Sequence, residues 1–155
     1  MVNKRFGFTL VEAIITALIL GIVASMVIAQ KETASKRSKE HELRHSLEQI
    51  RQAIDNYRDA VNKKKIIQDV TLPPYPQSLT ALVEGVKAAN GKKTYFLRRI
   101  PRDPFSTDSL EKAEETWNTR SSTSPPGDFS EGNDIYDVSS KSEDIGLNGI
   151  PYKEW

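Results

Sequence analysis

Between Phe8 and Ala29 the chain runs for 22 residues with one ionisable side chain, Glu12. As a helix this run would be about 33 Å long at about 1.5 Å per residue. That length matches a hydrocarbon core of roughly 30 Å. Lys4 and Arg5 stand before it, and such a charge bias keeps the N-terminal side in the cytoplasm and translocates the C-terminal part. Three readings fit. The run is a plain signal anchor, or a secretory signal cleaved before Gln30, where Val27-Ile28-Ala29 offers small or short residues. Or Glu12 has a task there. A carboxylate in a membrane span costs roughly 2.5–3.5 kcal/mol at the helix centre and less near the interface, and a plain anchor has no need of one.

The apolar run leaves the rest of the chain polar, with charged residues at 28% overall. The remainder is therefore expected to build a small core and to borrow burial from neighbours or from the apolar segment. The formal net charge of +1 gives no field that would draw nucleic acid or an acidic partner. Cysteine is absent, which excludes disulfides, thiolate catalysis and thiolate zinc sites.

After Ala29, Leu43, Leu47, Ile50, Ile54, Tyr57 and Val61 recur at intervals of four and three. That spacing predicts an amphipathic helix with a narrow apolar stripe. No proline or glycine lies between Gly21 and Pro73, so one helix is predicted from near Phe8 to about Lys65. The stripe packs on a small head, or on a second helix in a free coiled coil. His41 and His45 lie four apart with Glu48 nearby, a spacing that can hold a metal. The surrounding Lys and Glu favour a solvated polar face.

Pro73, Pro74 and Pro76 forbid helix before Ser78, a plausible N-cap. Leu79, Leu82, Val83 and Val86 then predict a short helix ending near Asn90-Gly91. Tyr95, Phe96, Leu97 and Ile100 form an apolar patch, and Pro101 and Pro104 hold "IPRDPF" in an extended or turned path. Residues 107–134 read as loop. Strands are predicted at Thr116–Ser121 and at residues 133–140, the latter with Ile135 and Asp137 on one side and Tyr136 and Val138 on the other. The two could form a small antiparallel sheet against the long helix. No phosphate-binding glycine loop, nucleophile elbow or zinc-protease motif is present, so no enzyme activity is expected.

The stretch "KRFGFTLVE" resembles the type III signal of type IV pilins and type II secretion pseudopilins. The resemblance implies cleavage by a prepilin peptidase after Gly7 and N-methylation of the new first residue, Phe8. Glu12 is then the fifth residue of the mature chain, where it can pair with the amine of an adjacent subunit and set the stagger of a filament. Pairing offsets part of the cost of burying either charge alone. Loss of Lys4 and Arg5 leaves 20 basic residues against 21 acidic ones, a formal −1. A proline common in the family is Ala29 here, which removes a helix kink. In the head, "YPQSLTAL" and "YFLRRIPRDPF" are similar to the segment characteristic of the major pseudopilins of type II secretion. Tyr75, Pro76, Leu79, Leu82, Ile100, Pro101, Asp103, Pro104 and Phe105 carry that match.

The resemblance implies an α+β, pilin-like fold: a long N-terminal α-helix, apolar in its lower half, packed on a small head with a short helix and a small antiparallel β-sheet. The implied segments are a leader at 1–7, a transmembrane and filament-core helix at 8–29, an amphipathic helix at 30–65 and a globular head at 66–155. It also implies a structural subunit, single-pass in the inner membrane with a periplasmic head and then part of a homopolymeric periplasmic pseudopilus. The implied partners are minor pseudopilins, the prepilin peptidase, an inner-membrane platform with its ATPase, and membrane lipid before assembly. Nucleic acid is not among them. The family's acidic loop often binds calcium; Glu143 and Asp144 are the candidate ligands, with Asp134, Asp137 and Asn148 nearby in sequence. Here "LNGIPYKEW" departs from the usual Asp-rich stretch, and Ile145, Leu147, Ile150, Tyr152 and Trp155 could hold the loop by packing onto the sheet instead. Two other readings stay open: a type IV pilin of a surface fibre, and a periplasmic binding protein with an ordinary signal peptide.

Overall fold

Most of the stretch free of proline and glycine lies within one helix, which ends before that stretch does. The computed structural model describes residues 9–69, 71–130 and 132–155, with only the backbone for residues 25–31. In it α1 spans Leu10–Asn62. Its end falls three residues before the predicted Lys65. Lys64 adopts φ +53°, a left-handed conformation that terminates helices, and its N–H turns back to the Val61 carbonyl at 2.8 Å. The chain divides into two compact units, Met1–Ser38 and Lys39–Trp155.

In the second unit the apolar stripe is covered by the head. Leu43, Leu47, Ile50, Ile54 and Tyr57 are buried, with Val61 partly so, and they share a core with Leu82, Leu97, Trp117, Val138 and Tyr152. Each such aliphatic side chain contributes roughly 1.5–3 kcal/mol when fully buried. Covering by the chain's own head removes the reason for a free coiled coil.

Helix α2 spans Leu79–Glu84, capped by the Ser78 hydroxyl, which accepts from the Ala81 N–H at 3.2 Å. It stops well before the predicted Asn90-Gly91. Gly85 takes φ +81°, and a Cβ there would meet the Tyr95 ring at 2.7 Å. The chain then enters strand β1 (Val86–Lys87), which pairs antiparallel with β2 (Lys93–Thr94). Asn90-Gly91 is thus the turn of a hairpin, where Asn-Gly is favoured, and not a helix end. The hairpin leaves Tyr95 exposed over Gly85, while Leu97 is buried in the core.

A second antiparallel pair joins β3 (Trp117–Arg120) to β4 (Asp137–Ser140), with Trp117 opposite Ser140 and Arg120 opposite Asp137. Thr116 belongs instead to a 3₁₀ turn, Ala113–Thr116, in the stretch expected to be loop. The predicted strand at 133–140 forms only in its second half. Before it, the Ile135 N–H is drawn to the Pro76 carbonyl at 2.7 Å, and the Tyr136 N–H to that of Arg120. Strict alternation therefore fails: Ile135 and Val138 are both buried, while Tyr136 is exposed.

The "IPRDPF" turn is pinned by Asp103, which is buried. Its Oδ1 accepts from the Phe105 N–H at 2.8 Å and its Oδ2 from the Ser140 hydroxyl at 2.5 Å. The Trp117 indole N–H donates to the Pro101 carbonyl at 2.9 Å. These bonds tie the turn to both strands of the second sheet.

Candidate assembly site

In the first unit α1 opens on a hydroxyl cap. Thr9 Oγ1 accepts from the Glu12 N–H at 3.2 Å. Thr16 Oγ1 donates to the Glu12 and Ala13 carbonyls, each at 2.9 Å. From Leu10 to Ala24 every residue is exposed in the single chain, on all sides of the helix. Leu10, Val11, Leu18 and Leu20 each expose more than 60% of their surface. So much apolar surface around a whole helix is a surface meant for lipid or for neighbouring chains. Glu12 is its one carboxylate. Among the described residues no helix is long and apolar enough to cross a membrane. Part of the Phe8–Ala29 run lies outside them, as do Gly7 and Phe8.

The expected calcium donors do not converge. Glu143 is highly exposed and its Oε1 accepts from Lys153 Nζ at 3.2 Å. Asp144 is exposed, and its backbone carbonyl accepts from the Tyr152 N–H at 3.0 Å. Asp137 is held by Arg51 at 2.8 Å and by Arg120 at 3.5 Å. Asn148 Oδ1 accepts from the Ile150 N–H, and Asp134 Oδ1 from the Ser121 hydroxyl. Among the described residues no three His, Asp or Glu side chains group to hold a metal ion, whereas calcium takes six to eight oxygens. The residues present do not fit a calcium site. His41 and His45 are exposed on the polar face of α1.

What fastens this segment is only half legible in the sequence. Tyr152 is fully buried and Trp155 partly so, as an apolar packing would have it, but Ile145, Leu147 and Ile150 remain exposed. The fastening is largely polar and comes from α1. Glu40 Oε1 accepts from the Tyr152 hydroxyl at 2.9 Å and from the Leu147 N–H at 2.7 Å. Arg51 donates to the Val138 carbonyl at 2.9 Å and to the Trp155 carbonyl at 2.7 Å. The Arg44 guanidinium sits 4.5 Å from the centre of the Trp155 ring. Burial raises the Tyr152 phenol above its ordinary pKa, and the bond to Glu40 and its charge add to the rise. A signal for Glu40 does exist: it lies three residues before Leu43, so it continues the apolar stripe with a carboxylate.

Residues 2–28 match the family model described as "Prokaryotic N-terminal methylation motif". With its exposed apolar helix and its carboxylate near the start, the chain is similar to proteins of the pilin-like class. Within that class it is similar to the type II secretion system core protein G. The identity is 26% over 110 residues with that of Klebsiella pneumoniae, covering 68% of this chain and 73% of the relative. With that of Escherichia coli strain K12 it is 26% over 110 residues, covering 68% and 70%. With that of Pseudomonas aeruginosa it is 27% over 107 residues, covering 66% and 70%. No solved structure matches the chain.

Proposed function

We propose that the chain is a structural subunit of a type II secretion pseudopilus, a filament whose growth drives folded proteins across the outer membrane. The role is structural and not enzymatic. The observation that carries the reading is the methylation motif over residues 2–28, joined in one chain to similarity with core protein G. The exposed apolar face of Leu10–Ala24 supports it, because a filament interior would bury that face among neighbouring helices.

In this reading residues 1–7 are a leader, 8–29 a membrane and then filament-core helix, 30–65 the amphipathic helix, and 66–155 the head. A prepilin peptidase cuts after Gly7 and Phe8 is methylated. The chain waits in the inner membrane with its head in the periplasm. It then joins a homopolymer with minor pseudopilins, driven by an inner-membrane platform and its ATPase. Glu12 meets the Phe8 amine of a neighbour and sets the stagger, since a buried carboxylate left without a partner is strongly penalised.

The test is deletion of the gene and complementation with wild type or Glu12→Leu. The reading expects exoproteins to accumulate in the periplasm on deletion, and rescue by the wild type alone. Intact secretion with lost twitching would assign the chain to a surface pilus instead.

A further inference from the structure

We infer that segment 142–155 is a metal-independent latch, fastened to α1 through Glu40 and Arg51 where a divalent cation would otherwise be needed. Three observations carry this. First, three of the five expected donors are engaged within the chain: Glu143 Oε1 by Lys153, Asp137 by Arg51 and Arg120, and Asn148 Oδ1 by a backbone N–H. The other two do not join them: Asp144 is exposed, and Asp134 is buried on Ser121. The lysine ammonium supplies a positive charge inside the segment itself.

Second, one carboxylate oxygen gathers two distant parts of the segment. Glu40 Oε1 receives both the Tyr152 hydroxyl and the Leu147 N–H. Glu40 is itself buried, at 7% exposure, and Tyr152 is completely so. A buried carboxylate with two short donors is a strong, directional anchor. The Tyr152 ring also stacks on Phe105 at 4.0 Å between centres and meets Trp155 edge-on at 5.0 Å. The polar anchor is thus set in an aromatic cluster, where each bond is stronger for lack of competing water.

Third, the segment closes upon itself around Gly146. The Gly146 N–H donates to the Ile150 carbonyl at 2.9 Å. A Cβ on Gly146 would lie 2.7 Å from both the Trp155 ring and Asn148 Oδ1. An ion-binding loop presents its carbonyls and carboxylates inward; here the Trp155 ring lies against Gly146 and its indole N–H donates to the Ile150 carbonyl at 3.2 Å. Glu40 is a positioning residue, acting on the head through Tyr152 and Leu147.

The test uses the full chain in detergent micelles. Thermal unfolding is followed by tryptophan fluorescence in excess EGTA and then with millimolar calcium chloride. The melting temperature is expected to move by less than about 1 °C, whereas an ion bound only to the folded state would raise it by several degrees. Hydrogen exchange then compares Glu40→Ala with Glu40→Gln. The alanine variant is expected to lose about tenfold or more of the protection at the Leu147 and Tyr152 amides. The glutamine, which keeps a carbonyl acceptor, is expected to retain most of it. Protection at Leu47 and Ile50 should be unchanged in both, which separates release of a latch from general loosening. A calcium-dependent rise in melting temperature, calcium-dependent protection of residues 143–155, or full protection in Glu40→Ala would overturn the inference. None of these readouts needs a filament, so they stand apart from the secretion assay.

Discussion

Replacing Asp103 by alanine should unfasten the head from its own turn. The carboxylate is 2% exposed and accepts two bonds, from Phe105 N–H and Ser140 Oγ. Bonds to a charged acceptor are worth roughly 1.5–3 kcal/mol each. Removing the carboxylate also relieves its own burial cost, so the two do not simply add. The Ser140 hydroxyl, in a fully buried residue, is left without its acceptor. The balance is a loss of about 3 kcal/mol, a large share of the ~5–15 kcal/mol that stabilises a typical domain. Asp103→Asn keeps an oxygen for Phe105 and offers Ser140 a donor, so it should cost about half as much. The assay is urea unfolding of the full chain in detergent, read by tryptophan fluorescence. With a slope of roughly 2 kcal/mol per molar, the alanine midpoint should fall by about 1.5 M. An alanine variant within about 1 kcal/mol of wild type, or an asparagine as damaging as alanine, would show that Asp103 does not hold the turn in this way.

Gly85→Ala should destabilise by roughly 1–2 kcal/mol, because it meets both a left-handed φ and the Tyr95 ring; the companion change Tyr95→Ala should recover the steric part in the same urea titration. Tyr152 has a folded pKa raised above its ordinary value by burial. The stability it contributes is therefore whole below about pH 10 and lost as pH rises from there toward the folded pKa. An alkaline stability profile should show that loss in wild type and less of it in Tyr152→Phe. Glu12→Leu should leave the urea midpoint of the head unchanged, since the bonds at Glu12 stay within its own helix. It should nonetheless abolish filaments that sediment from sheared cells.

Much of this molecule can be read from spacing. The stripe from Leu43 to Val61 and the run without proline define the long helix and its buried face, and Ser78 marks the start of α2, because helical period and capping are local properties. Asn90-Gly91 is ambiguous from sequence because the pair serves both as a helix end and as a hairpin turn. The choice falls to Gly85, whose φ and Tyr95 contact are tertiary facts. The failed alternation at Ile135 has the same origin: a backbone bond to Pro76, 59 residues away, holds that residue out of the strand. Glu40 is hard to single out because a carboxylate on an apolar stripe reads as an edge of the stripe. Its meaning emerges only when Tyr152 and Leu147 arrive from 112 and 107 residues further on. The methylation motif is the most legible of all, because its start is written in one contiguous stretch, "KRFGFTLVE".

Whether this chain is processed and assembled as a pseudopilin is decided at its N-terminus. Intact mass and N-terminal sequencing of the chain recovered from its native membranes read that end without intermediaries. The expected result is a start at N-methylated Phe8, with Glu12 as the fifth residue. A start at Gln30 would contradict the pseudopilin reading, since the apolar helix and Glu12 would both be gone, and so would a chain that keeps Met1 in cells with an active prepilin peptidase.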